Sequence, residues 1–401
     1  MSETKVRSKE CISTSMESVS PSGYGNLKLW KDGKLCALKL LRRGRDPLPS
    51  HPGWKLGDVF HHMMERLPHG ATAEDAMRVW DEEVEKIEAE LAKNWVCRGL
   101  VPLRQTVKPY TIKKIRAIRA VPLPLRDEAR QNRDAFVGGE DRVTTLTEEN
   151  LVSKDGLIKG QADLVTRRDG EWILIDYKSC DVHEDHDEVP GEKRIKDGYE
   201  LQLRLYAHLL KEARGITVAK ALLKTMDGCE HEVTVDEENV QSVGGEARAL
   251  LREFNQFAQK HTEEWALAKP MPNNFEEGVF GCGGCLFRPK CKAYNHQKRT
   301  RECHAGEYWP NDIVGRITEI NKLGEGYSLI LGENGSGKRV AMRFSGRHPA
   351  LENLKEGDVV GIFNAVRLQV VHGEGPRTCV YQYMENPTEE WQLPLDILGE
   401  M

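Results

Sequence analysis

Two strand-length apolar runs, GLIKGQADLVTRR at 156–168 and GEWILIDYKS at 170–179, meet across the Arg168-Asp169-Gly170 turn. Runs this close turn back on each other, so they predict an antiparallel hairpin at the centre of the chain. Side chains alternate along a strand, so Asp176 and Lys178 share one face and Tyr177 takes the other. The amphipathic run YELQLRLYAHLLKEA predicts a helix next, followed by the β-rich AKALLKTMDGCEHEVTV and a further helix to about Ala268. The order ββαβα predicts an α/β core.

The remainder of the 401 residues predicts two or three domains. Residues 1 to about 22 are rich in Ser, Thr and charge without an apolar period, and are expected to form a disordered tail. The segment 23–150 is expected to be mainly helical. It carries LKLWKDGKLCALKLL, then GDVFHHMMERL and ATAEDAMRVWDEEVEKIEAELAKNW, and ends in the poorly patterned, basic TVKPYTIKKIRAIRAVPLPLRDEARQNR. Residues 151–300 hold the hairpin, the α/β core and a group of cysteines. From 308 to 401 the pattern changes to short β-rich runs divided by Gly-rich turns, which predicts a small all-β domain, an OB-like barrel. Within it, GENGSGK at 332–338 matches a P-loop in its glycines and lysine, but Arg339 stands where Ser or Thr should bind Mg²⁺. Both flanking runs read as strands, so a hairpin is expected there and nucleotide hydrolysis is not.

A net charge of -5 argues against a protein that coats nucleic acid, while leaving room for a local basic channel. No stretch approaches the roughly 20 apolar residues of a membrane helix, and MSETKVRSKECISTSMES lacks a signal-peptide core, so an intracellular, cytoplasmic location is expected. In such a compartment the ten cysteines are expected to be thiols and metal ligands.

Asp163 on the first strand with Asp176 and Lys178 on the second is a group of hard oxygen ligands beside a cation. Such a group suits Mg²⁺ or Mn²⁺ and the hydrolysis of a phosphodiester. Taken alone, it suits equally a turn-capping Asp163 beside an exposed Asp-x-Lys pair. The loop CDVHEDHDEVPGE, with His183, Asp185, His186 and Asp187, reads as a solvated acidic loop. Cys282, Cys285 and Cys291 in GCGGCLFRPKC have metal-ligand spacing, and the glycines let the backbone fold tightly around a centre; zinc and an iron–sulfur cluster both fit.

The series GQADLV, IDYKS and then Gln202 and Tyr206, four apart on one helix, resembles the RecB-like nucleases of the PD-(D/E)XK superfamily over roughly residues 24 to 296. The resemblance implies a restriction-endonuclease-like core and a metal-dependent DNA nuclease, an exonuclease acting on ends or single strands. It implies a motif histidine in a Gly-x3-His-x3-Glu pattern, matched by Gly57, His61 and Glu65, with the neighbouring His62 as competitor. His61, Asp163, Asp176 and the Tyr177 carbonyl then become the expected metal ligands and Lys178 the catalytic lysine. Gln202 and Tyr206 are expected to orient the lysine and the DNA backbone. In relatives with an iron–sulfur cluster, such as AddB-type and CRISPR-associated exonuclease domains, a fourth cysteine lies ahead of the motif histidine. Cys36 matches that place, which implies a structural [4Fe–4S] cluster on Cys36, Cys282, Cys285 and Cys291, with zinc as the alternative. The implied partners are DNA and a helicase or other nuclease-complex subunit, with no membrane. The other function class is a DNA-end or single-strand binding module of a repair, recombination or defence complex.

Overall fold

The computed structural model describes residues 15–42, 48, 50, 52–67, 71–93, 101–121, 145–168, 170–185, 193–261, 263–272, 281–300, 312–324, 326–333, 337–345, 354–363, 366–371, 378–382 and 391–392. Six helices come first: α1 (Pro21–Lys31), α2 (Ala37–Leu41), α3 (Pro52–Arg66), α4 (Ala73–Lys93), α5 (Leu103–Thr106) and α6 (Tyr110–Ala120). Strands β1 (Thr145–Val152), β2 (Lys159–Arg168) and β3 (Glu171–Lys178) follow, with the short ribbon β4 (His183–Asp185) and β5 (Lys193–Ile195). Helix α7 (Asp197–Arg214) crosses to β6 (Val218–Thr225) and β7 (Glu230–Val233), and α8 (Glu237–Lys260) and α9 (Glu264–Leu267) complete this part. Turns of 3₁₀ helix at Cys282–Gly284 and Arg288–Lys290 lead into α10 (Lys292–Thr300).

The central sheet has the order β1-β2-β3-β6-β7. The expected hairpin is its middle, with Arg168 opposite Glu171. Passage through α7 makes β6 parallel to β3, while the other pairs are antiparallel. One core gathers Tyr24 and Leu27 of α1, Leu203 and Leu210 of α7, and Val243 and Phe254 of α8 with Leu174 and Leu223 of the sheet. A second gathers Phe60 of α3, Trp80 of α4 and Ala117 of α6 with Leu164, Ile175 and Tyr177. Helices thus cover both faces, as a buried mixed sheet requires.

Local chemistry sets the helix ends. Thr72 and Asp75 exchange bonds at the start of α4, the Thr72 hydroxyl accepting from the Asp75 amide and the Asp75 carboxylate from the Thr72 amide, each at 3.1 Å. Gly215, at φ +69, closes α7, because its left-handed backbone lets its amide reach back to Lys211.

Three segments depart from the sequence expectation. Residues 15–22 of the expected tail are built into the fold: Val19, fully buried, bridges to Ile158, and Ser20 caps α1. A lone Val between serines carries no period to read. Strand β1 begins at Thr145, inside the stretch expected to be helical; TLTEENLV hides its alternation because most of its side chains are only partly buried. The basic stretch holds α6, whose inner face is mostly alanine, with Ala117 and Ala120 buried. Residues 1–14, Cys11, Cys97, His186, Asp187 and Cys303 lie outside the described residues.

The C-terminal strands β8 (Ile313–Leu323), β9 (Gly326–Glu333), β10 (Gly337–Ser345), β11 (Val359–Phe363), β12 (Val366–Val371), β13 (Thr378–Gln382) and β14 (Trp391–Gln392) form one sheet, β12-β13-β10-β9-β8-β11-β14. GENGSGK falls where β9 pairs antiparallel with β10, Glu333 opposite Gly337, so it joins two strands and lacks the strand-to-helix setting of a P-loop. Among the described residues no helix is long and apolar enough to cross a membrane.

Candidate functional site

The ladder between β2 and β3 ends at Leu164 opposite Ile175. Beyond it the strands fork, and the Asp163 carboxylate takes the next amide, that of Tyr177, at 2.8 Å. Tyr177 turns its ring into the second core, edge-on to Phe60 at 5.9 Å. Alternation therefore leaves Asp176 and Lys178 facing α7, as expected. There the Lys178 ammonium lies 2.6 Å from Asp176 Oδ2 and donates to Gln202 Oε1 at 3.0 Å, while Gln202 Nε2 donates to Asp176 Oδ1 at 2.9 Å. The carboxamide joins the two charges and has one sensible orientation, oxygen toward the cation.

This group is nearly dry, with Asp176 2% and Gln202 7% exposed. Burial pushes the Asp176 carboxyl upward, Lys178 pulls it back and Asp163 adds to the rise. Asp176 Oδ2 has the Lys178 ammonium as its partner.

Helix α3 brings His61 to the fork, its Nδ1 3.4 Å from Asp163 Oδ2. Burial lowers the His61 pKa, but the Asp163 bond and the charges of Asp163 and Asp176 outweigh it, and the net shift is upward. His62 points elsewhere, toward Glu83 at 3.3 Å. The close approach of α3 depends on Gly57, where a Cβ would lie 2.7 Å from the Ser179 hydroxyl.

Tyr206 stands apart from the lysine. Its hydroxyl donates to the Gln161 carbonyl at 2.7 Å, and its ring fills the space that a Cβ on Gly160 would enter. It fixes β2 just ahead of Asp163 and meets Gln202, the side chain that holds Lys178. The side chain that does touch Lys178 is Tyr199, whose ring lies 4.7 Å from the ammonium. Positions 199, 202 and 206 repeat at i, i+3 and i+7, a signal present in the sequence.

Glu148 was not visible in the sequence. The β1–β2 register pairs Thr147 with Leu164 and Glu149 with Ala162, which puts Glu148 opposite Asp163. It has a φ of +49, rare for a non-glycine. Burial first, then Asp163 and Glu65, raise its pKa to about 7, against the opposing effect of His61. Two carboxylates side by side on adjacent strands repel, and the placement makes sense where a cation is to be held. Among the described residues no three His, Cys, Asp or Glu side chains enclose a single ion as they stand; the Lys178 ammonium occupies the open side of Asp176. The donor set of imidazole and carboxylates suits Mg²⁺ or Mn²⁺.

The four expected cysteines line one cavity, between α2, the segment after α9 and the Cys282–Cys291 turns. The Cys36 sulfur accepts from the Lys269 amide at 3.3 Å and the Cys291 sulfur from the Tyr294 amide at 3.4 Å. Burial, with the charges of Cys285 and Cys36 adding, pushes the Cys282 thiol up to about 12. Arg288, 1% exposed, shapes the turn by donating to the carbonyls of Cys282, Gly283 and Cys285 at 3.0, 2.8 and 2.8 Å. It also meets Asp312, at the start of β8, at 2.7 Å. Gly281 is obligatory, since a Cβ there would lie 2.2 Å from the Pro272 carbonyl oxygen. His183 and Asp185 sit on the β4–β5 ribbon.

A family model described as the PD-(D/E)XK nuclease superfamily matches residues 36–292. No curated protein matches. One similar solved structure, titled "Crystal structure of SSO0001", shares 19% identity over 53% of this chain and 96% of its own; its TM-score is 0.20, and the likeness carries no argument.

Proposed function

This chain belongs to the PD-(D/E)XK nuclease superfamily, and we propose that it is a metal-dependent deoxyribonuclease that degrades DNA from ends or along single strands. The observation that carries the proposal is the Gln202 carboxamide bridging Asp176 and Lys178. It holds a carboxylate and an ammonium in register, in a nearly dry pocket where their charges act strongly.

His61, Asp163, Asp176 and the Tyr177 carbonyl would hold Mg²⁺ or Mn²⁺. The ion supplies an acidified water and neutralises charge on the phosphate. Lys178 then does the work of this chain's own residues, positioning the attacking water and sharing the negative charge that builds on the phosphate oxygens. Gln202 ties the lysine and Asp176 together through one carboxamide and so fixes where the ammonium sits. Tyr199 walls the ammonium from solvent.

Cys36, Cys282, Cys285 and Cys291 would hold a [4Fe–4S] cluster. A single zinc with thiolates at about 2.3 Å would draw its sulfurs to within about 4 Å of each other. The four thiols line one cavity. The amides pointing at Cys36 and Cys291 suit charged sulfurs. The C-terminal sheet would serve as the OB-like domain, contacting single-stranded DNA.

The test is cleavage of 5′- and 3′-labelled single- and double-stranded linear DNA, with circular controls, by anaerobically purified protein in Mg²⁺ or Mn²⁺. The wild type should degrade linear DNA, and Lys178→Ala should lose at least about a thousandfold in rate while keeping its circular dichroism spectrum. Equal rates for the two proteins would reject the assignment.

A further inference from the structure

The stretch from Val101 to Ala120 holds Arg104, Lys108, Lys113, Lys114, Arg116 and Arg119 and no acidic residue, in a chain of net charge -5. Lys114 pairs with Asp81 at 2.5 Å. The other five make no ion pair with a described residue. Helix α6 is firmly held: Ala117 and Ala120 are buried, and the Tyr110 hydroxyl accepts from the Trp80 indole at 3.1 Å.

Its outer face is made by Ile112, Ile115, Arg116 and Arg119, which recur at i, i+3, i+4 and i+7 and are all exposed. Ile112 is 49% and Ile115 44% exposed, two of the few large apolar side chains left in water. A rigid face that sets two apolar side chains beside two guanidinium groups can meet both the phosphates and the sugars or unpaired bases of a single strand.

Its position points the same way. The C-terminal end of α6 abuts the β6–β7 turn, where a Cβ on Gly228 would lie 3.8 Å from the Ala120 Cα. The Met226 amide of that turn donates to the carbonyl of Lys178 at 2.9 Å. The basic helix therefore ends beside the strand end that carries the lysine.

We propose that the exposed face of α6 is the track for a single DNA strand, with Arg116 and Arg119 on the phosphates and Ile112 and Ile115 against sugars and bases. This rests on the nuclease assignment above and adds to it the surface that guides the substrate.

The test is fluorescence anisotropy with a fluorescein-labelled single-stranded oligonucleotide in EDTA, over a series of salt concentrations. Arg116→Gln with Arg119→Gln should weaken binding about tenfold at moderate salt and reduce the slope of log K against log[salt] by about 1.4, two single-strand phosphate contacts. Ile112→Ser with Ile115→Ser should weaken binding about threefold with the slope unchanged. Lys28→Gln with Lys260→Gln, on α1 and α8, makes the same change in net charge and should leave both quantities alone.

If the arginine pair binds with the wild-type slope while wild type cleaves DNA, the track lies elsewhere and this face serves a protein partner; the nuclease assignment survives. An equal loss in the Lys28/Lys260 control also overturns the track, since net charge alone would then explain the effect. A wild type that neither binds nor cleaves DNA removes both proposals.

Discussion

Replacing Glu148 separates two costs that the site imposes on its own fold. The carboxyl titrates near 7 in the folded protein against an ordinary 4.5. The folded state thus keeps a proton that the unfolded chain releases, so the cost is absent below about pH 4.5, grows through that window and is complete above about pH 7. A shift of this size corresponds to about 3 kcal/mol, reduced by solvent screening of a half-buried side chain to about 1–2 kcal/mol. The second cost is the backbone, because φ of +49 strains an L-residue by about 1–2 kcal/mol at any pH. Glu148→Gln removes only the first. In EDTA at pH 8 it should therefore melt about 2–4 °C above wild type, with the gain vanishing toward pH 4.5. Glu148→Gly removes both but frees the unfolded chain by about 0.4–1 kcal/mol, so it should add up to about 1 kcal/mol more, independent of pH. Saturating Mn²⁺ should close the gap, since a cation relieves the repulsion in wild type and binds it more tightly. Thermal unfolding followed by circular dichroism reads all of this. A Glu148→Gln protein that melts no higher than wild type at pH 8 would refute the repulsion argument, and a gap unchanged by Mn²⁺ would refute the role for Glu148 in holding the cation.

Other consequences follow from the same geometry. His61→Ala should weaken Mn²⁺ binding about 10- to 100-fold by titration calorimetry, and His62→Ala, which loses only its Glu83 contact, should stay within about twofold. Because His61, Glu148 and Asp176 are all shifted upward, metal binding should release protons, visible as a buffer-dependent heat, and affinity should rise with pH through neutrality. A pH-independent affinity would show that neither carboxyl is near the ion. Cys285→Ser should lose the brown absorbance and bound iron of anaerobically purified protein and lower the melting temperature; stoichiometric zinc in colourless wild type would instead reject the iron–sulfur cluster.

What could be read from the sequence was what local spacing determines. The hairpin was legible because its turn leaves no other path, and with it came the alternation that sends Asp176 and Lys178 one way and Tyr177 the other. Gln202 was legible through its place on the α7 face, and Tyr206 meets it there, while Tyr199, which lies over the ammonium, was not singled out. Helical periodicity says which side chains share a face, and the tilt of that face over the sheet decides which of them reaches a target. Glu148 was out of reach, since its neighbour Asp163 is set by the β1–β2 register and β1 itself did not read as a strand. Val19 and α6 were missed for a related reason: one was a single buried residue, the other a helix whose inner face is small alanines beneath a basic surface.

The two sites divide the chain in a way that constrains how they affect each other. Cys36 precedes α3, while Cys282, Cys285 and Cys291 follow α8, so the cavity of thiols lies where the two ends of the family domain meet. Asp176, Lys178 and Gln202 sit on β3 and α7, which pack directly against each other and carry none of the four cysteines. His61 differs, for it rides on α3, which follows Cys36 and α2 in the chain and reaches the fork over the other face of the sheet. The four cysteines pack with the core that holds Leu203 and Leu210 of α7, so a cluster held there would support the lysine side of the site, and would reach His61 only through the chain connection from α2 to α3. Cys285→Ser should therefore slow cleavage even in excess Mn²⁺, and full recovery of the rate by Mn²⁺ would show that Lys178 keeps its place without the cysteines.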